Sequence, residues 1–140
     1  MFNFEAMLQA FGDGVIACDV AGTIVFWNAA ATRIFGFSAK EATGQSLDLI
    51  IPQRQQQRHW DGYHKTLATG ETRYGNDVLR VPAVHKEGKP LSIAFTVALL
   101  RAADGAVSGI AAVVRDDTVR WTEERALRAR LRELEALAAR

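Results

Sequence analysis

Gly22-Thr-Ile-Val-Phe-Trp-Asn28, continued by Ala29-Ala-Ala-Thr-Arg-Ile-Phe-Gly36 and Phe37-Ser-Ala-Lys-Glu-Ala-Thr-Gly44, decides the fold, because it sets a turn, a strand and two short helices in immediate succession. Thr23 to Trp27 is β-branched and aromatic, the composition that packs on a pleated surface. Asn28 puts a side-chain acceptor where the strand gives way to an alanine-rich helix, and such a residue caps the orphan N–H groups of a first turn. Gly36 can close that helix in the left-handed region, where a Cβ would be penalised. Ser38-Ala-Lys-Glu41 is a capping box that opens a second short helix, which Gly44 ends.

Working outward, the apolar run Val15 to Val20 meets the quoted strand across the Ala21-Gly22 turn, and together they predict a β-hairpin. Ahead of it, Phe4, Met7, Leu8 and Phe11 recur at helical spacing until Gly12-Asp13-Gly14, which predicts a short amphipathic cap helix within residues 1–12. Past Gly44, Leu47, Leu49, Ile50, Ile51 and Pro52 form an apolar corner. A helix is then expected from about Gln53 to Ala68, with His59, Tyr63 and Leu67 on one inward face at i, i+4 and i+8. Thr69-Gly70-Glu71 ends it. Three strands follow, at about Gly75 to Val84, Leu91 to Arg101 and Val107 to Arg115, separated by Lys86-Glu-Gly-Lys-Pro90 and Ala103-Asp-Gly105. The fold class is therefore α+β, a five-stranded antiparallel sheet with short helices on one face.

After Thr118 the composition turns to charged residues and leucine. Leu127, Leu131, Leu134 and Ala138 step by four, three and four, the spacing of a coiled-coil seam. A lone helix of that length is marginal in water, so the tail calls for something to pack on it. A homodimer through the terminal helices, or a junction to an effector domain, is expected. The chain divides into a cap (1–12), a central domain (13–118) and an exit helix (119–140).

At 140 residues the chain fits one domain with a core of its own. Its 17 basic and 16 acidic side chains nearly cancel, so no overall field favours nucleic acid or an anionic membrane. Cys18 is the only cysteine, which rules out an internal disulfide and a cysteine-rich zinc site. No apolar run approaches the roughly 20 residues of a membrane span, and Met1 to Met7 lacks the basic start of a signal peptide. A cytoplasmic protein is expected. Catalytic motifs are missing as well, and Asp116-Asp117, the one apparent carboxylate pair, reads as the entry to the last helix. Enzymatic activity is not expected.

The order β-β-α-α-α-β-β-β with a trailing amphipathic helix resembles the PAS (Per-ARNT-Sim) sensor fold. The residues that carry the resemblance are Gly22 to Asn28, Ile34 to Ser38, Glu41 to Gly44, Lys86 to Pro90 and Arg115-Asp-Asp-Thr118. It implies a sensory domain of signal transduction that holds a small molecule between sheet and helices. It also implies an effector such as a histidine kinase or a cyclase in a longer chain. Asp116 and Thr118, able to hydrogen-bond locally, would fix the angle at which the last strand hands over to the exit helix. The competing reading is a ligand-free dimerisation module.

Within that family, flavin photoreceptors carry a cysteine in a Gly-x-Asn-Cys-Arg-Phe segment, where this chain has Gly44-Gln45-Ser46-Leu47-Asp48. FMN with cysteinyl photochemistry is therefore not expected. The run Arg58-His59-Trp-Asp-Gly-Tyr63 to Glu71 is similar to the long helix of FixL-type heme PAS domains, and the resemblance implies His59 as a heme iron ligand. Tyr63 joins the same candidate pocket, Phe95 and Val97 would line its distal face, and Lys65 and Arg73 fall where the family places cations near the heme propionates. Leu79 stands at the place of the FixL oxygen-contacting arginine. Arg80, one residue on, would reach that face only through a bulge, because a one-residue step along a strand reverses the side chain. His64 and His85 are expected at the surface, and Trp60 in packing.

Overall fold

The computed structural model describes residues 1–140. Helix α1 (Phe4–Ala10) precedes strands β1 (Gly14–Asp19) and β2 (Ile24–Trp27), then helices α2 (Ala29–Phe35), α3 (Ala39–Ala42) and α4 (Gln56–Thr69). Strands β3 (Leu79–Val84), β4 (Pro90–Arg101) and β5 (Val107–Asp116) follow, and helix α5 (Thr118–Ala138) leaves the domain. The five strands form one antiparallel sheet in the order β2-β1-β5-β4-β3, so the first and last strands pair in the middle.

Register fixes which side chains share a face. Ile16 and Cys18 of β1, Val114 of β5, Ile93 of β4 and Ala83 of β3 point to the helices and are buried. The β1–β5 backbones approach so closely that a Cβ on Gly109 would lie 2.5 Å from the Cys18 carbonyl oxygen. Trp27, Phe35 and Ile24 are the largest fully buried apolar side chains, and each contributes on the order of 1.5–3 kcal/mol by leaving water. Trp27 keeps its polar edge satisfied by donating from Nε1 to the Phe37 carbonyl at 3.0 Å.

Asn28 does more than cap α2. Its Oδ1 accepts from Ala31 N at 3.0 Å and from Val15 N at 2.8 Å, and its Nδ2 donates to Leu8 O at 2.8 Å and Asp13 O at 3.1 Å. One fully buried amide thus ties α1, the loop behind it, β1 and α2 together. Helix α1 depends on such polar contacts, with Gln9 Oε1 accepting from Ala29 N, while Phe4 (67%) and Met7 (37%) of its apolar stripe stay exposed.

Two predicted boundaries move. The helix expected from Gln53 begins with a 3₁₀ turn, Gln53–Gln55, so that α4 proper starts at Gln56. The strand expected from Gly75 starts at Leu79, because Thr72 Oγ1 accepts from Tyr74 N and winds Arg73–Gly75 into another 3₁₀ turn. Both edges of the sheet are guarded. The outer side of β2 is covered by the Gly44–Leu47 segment through Ile24 N to Gln45 O and Gly44 N to Ile24 O, each 2.8 Å, and β3 carries Pro82, which has no N–H to offer. Helix α5 projects with Leu127, Leu131, Leu134 and Leu137 all exposed.

Candidate functional site

Helix α4 turns His59, Trp60 and Tyr63 toward the core. Tyr63 is buried, and its hydroxyl donates to the Asp19 carbonyl at 2.5 Å, which pins α4 to the β1–β2 hairpin; burial pushes the phenol pKa up. Trp60 Nε1 donates to Asp48 Oδ1 at 2.7 Å. Its indole lies on Gly22, where an added Cβ would meet Cη2 at 2.2 Å and where φ is +80°. Gly22 therefore serves the turn and admits the indole at the same time.

His59 sits beside these rings, 4.5 Å from Trp60 and 5.8 Å from Tyr63 between centroids. Its Nδ1 is buried and has no hydrogen-bond partner. Burial lowers the imidazole pKa, Asp48 opposes that in part, and His64 adds to it. A neutral ring follows at pH 7, with one nitrogen unsatisfied, at a cost of about 1–3 kcal/mol unless something pairs with it.

On the sheet, Leu79 pairs with Phe95 and Val97 with Ala112, and the register puts all of them on the helix-facing side. Leu79, Phe95 and Val97 are only half-buried, so this apolar wall is not fully covered by the protein itself. The β3–β4 ladder has no register shift through Arg80, which pairs with Ala94 and belongs to the opposite face. The bulge that would have brought Arg80 inward is absent, and Leu79 alone faces the site. Lys65 is exposed on α4, and Arg73 is exposed with Nη2 donating to Tyr74 Oη at 2.8 Å. The structure thus brings His59 and Tyr63 together on α4 and Leu79, Phe95 and Val97 together on the sheet, and leaves the two cations in solvent.

The donor set suits heme. A neutral imidazole with a buried ring nitrogen free of other partners can give that nitrogen to iron, and the half-covered aliphatic and aromatic wall suits a porphyrin face. His59 is the residue that would hold the metal.

At the exit, Asp116 Oδ1 accepts from Thr118 N at 2.9 Å, Thr118 Oγ1 accepts from Ser92 N at 3.0 Å, and Asp117 N donates to Ser92 O at 2.7 Å. These bonds root α5 on β4. The Asp117 carboxylate takes Arg120 Nη2 at 2.7 Å, and the guanidinium holds its pKa below the usual carboxylate range.

His85 corrects the expectation of an exposed histidine. Its side chain is 10% exposed, its ring lies on Gly36 at 2.5 Å from where a Cβ would be, and its Nδ1 accepts from Glu87 N at 3.1 Å. Together with Lys86 N to Phe35 O (2.8 Å) and Lys86 Nζ to Glu41 Oε2 (2.5 Å), it clamps the β3–β4 turn onto the α2–α3 junction. Gly36 was legible as a helix end, but the ring that covers it comes from a distant hairpin.

This arrangement of sheet, helices and exit has a known pattern: residues 3–116 match the family model described as the PAS fold. The chain belongs to the PAS family. As a PAS domain it is a sensory module of the kind that signalling proteins carry. An uncharacterized protein of Azorhizobium caulinodans is 37% identical over 124 residues, 88% of this chain and 17% of that protein. The sensor protein FixL of Bradyrhizobium diazoefficiens is 34% identical over 61 residues, 44% of this chain and 12% of FixL. The PAS domain thus corresponds to a small part of the curated relatives it matches. Among solved structures, a sensory box histidine kinase/response regulator from Burkholderia thailandensis superposes with a TM-score of 0.70 at 17% identity, covering 95% of this chain and 98% of that one. At that identity the likeness speaks for the fold.

Proposed function

We propose that this PAS domain is a heme-based sensor module, with residues 13–118 holding heme b through His59 and the exit helix relaying the state of the pocket to a second copy and to an effector such as a histidine kinase or cyclase. The observation that carries the reading is the buried His59 Nδ1 without a partner. When bound, heme would supply an iron at which a diatomic gas can be taken up. Tyr63 holds α4, and with it His59, in place. Leu79, Phe95 and Val97 exclude water from the face they line, and Lys65 and Arg73 stand as the cations available to propionates at the rim. Leu79 offers no hydrogen bond, so a gas that draws negative charge gains nothing from that position.

The relay runs from the sheet through Asp116 and Thr118 into α5. Helix α5 suits a parallel, in-register partner: with Leu127, Leu131, Leu134 and Ala138 in the seam, Glu123 falls opposite Arg128 of the partner subunit and Arg130 opposite Glu135 of the partner subunit. The exposed Phe4 and Met7 of α1 offer a second apolar surface for that partner. A cytoplasmic setting accompanies this reading; no helix is long and apolar enough to cross a membrane.

One observation favours the ligand-free dimerisation module instead: Trp60 and Tyr63 already fill part of the space under α4. Expression with heme available separates the two. A Soret band that is lost in His59→Ala supports the sensor, and a colourless protein with no extractable small molecule supports the scaffold.

A further inference from the structure

Strand β3 faces two ways. Leu79, Val81 and Ala83 point to the helix side of the sheet, while Arg80 points outward and brings Nε to 3.6 Å from Asp117 Oδ2. Asp117 is the residue immediately before α5, and its carboxylate is 11% exposed, against 52% for Arg80 and 45% for Arg120. A nearly covered carboxylate is thus shared between an arginine on an edge strand and an arginine one turn into the exit helix. Arg120 also pairs with Glu124, and Glu124 with Arg128. Asp117, Arg120 and Glu124 step by three and four, and the same stripe continues as Leu127, Leu131 and Leu134. The stripe is therefore a charge ladder beside the domain and an apolar seam beyond it.

We propose that Arg80 is a positioning residue that couples displacement of β3 to the root of α5, by drawing the Asp117 carboxylate away from Arg120. This rests on the sensory reading above and names how the pocket reaches the output helix. Edge strand β3 is hydrogen-bonded to the sheet through β4 alone, so an occupant pressing on Leu79 and Val81 moves it more readily than β1 or β5. Arg80 then changes its hold on Asp117, and the first turn of α5 tilts about the Ser92 and Thr118 bonds. The pair is half-exposed and screened by salt, so it biases the root of the helix and does not lock it.

Hydrogen exchange on the whole chain, with no ligand added, tests this at the Asp117, Thr118 and Trp121 amides, which bond to Ser92 O, Asp116 Oδ1 and Asp117 O. Arg80→Gln speeds exchange there by about two- to fivefold, the range an exposed ion pair supports, and Arg80→Lys restores most of the protection. Lys40→Gln, which removes an exposed cation of α3 that forms no ion pair, leaves the root unchanged. Leu79→Ala, a perturbation of β3 from its pocket side, alters root exchange in the native chain and does not do so in the Arg80→Gln background. The proposal is overturned by unchanged root exchange in Arg80→Gln, by a root response to Lys40→Gln as large as that to Arg80→Gln, or by a Leu79→Ala effect that is absent or of equal size in both backgrounds. A colourless protein in the heme experiment would remove the heme and leave this result standing, so the two failures can be told apart.

Discussion

Asn28→Ala is the substitution from which the domain should suffer most for the fewest atoms removed. Loss of the cap on α2 costs about 1 kcal/mol. Val15 N, buried in β1, loses the Asn28 Oδ1 acceptor and costs a further ~1–3 kcal/mol. Leu8 O and Asp13 O belong to half-buried residues and can turn to water, so they add little. The sum is about 3 kcal/mol, and with a urea slope of about 2 kcal/mol/M the unfolding midpoint should fall by roughly 1.5 M. Asn28→Asp separates the two ends of the side chain. It keeps an acceptor for Val15 N and Ala31 N and puts a carboxylate against the Leu8 and Asp13 carbonyls. Its damage should therefore appear as faster hydrogen exchange in α1, with the β1 and α2 amides near native. A loss below about 1 kcal/mol in Asn28→Ala, or an α1 in Asn28→Asp as protected as in the native chain, would refute the account of Asn28 as the tie between four segments.

The folded-state pKa of His59 lies below its ordinary value because burial disfavours the charged ring. The unfolded chain therefore takes up the proton first, and stability present above about pH 6.5 declines as pH falls toward the folded-state pKa; His59→Leu should flatten that decline in urea midpoints measured from pH 8 to 5, and an unchanged slope would count against it. Gly22→Ala forces a Cβ at +80° φ into the Trp60 indole and should cost about 3 kcal/mol, with indole emission shifted to the red; a native-like spectrum and midpoint would show that the indole has another place to go. Leu131→Glu should weaken self-association in sedimentation at least tenfold while leaving the thermal unfolding of the PAS core within about 1 kcal/mol, since α5 buries no side chain in the domain.

The elements were legible because their signals are local. Asn28, Gly36, the Ser38–Glu41 box and the Gly22 turn each act within a few residues, and the structure uses each where the sequence put it. The inward face of α4 was legible from the spacing of His59 and Tyr63. What could not be read joins segments far apart in the chain: the His85 ring on Gly36, the indole of Trp60 on Gly22, and the second, third and fourth hydrogen bonds of Asn28. Arg80 was read correctly as facing away from Leu79, by strand alternation alone. Its partner Asp117 lies across β4, just past the end of β5, and no periodicity points to it.

The shielding of both sheet margins has a consequence for how such a domain lives inside a long polypeptide. With the Gly44–Leu47 segment laid along β2 and a proline set into β3, two neighbouring copies held at high local concentration have no unbroken ladder on which to merge their sheets. Domains of this build can be strung in series, each unfolding as its own cooperative unit. Communication between them is then left to the helices at their ends.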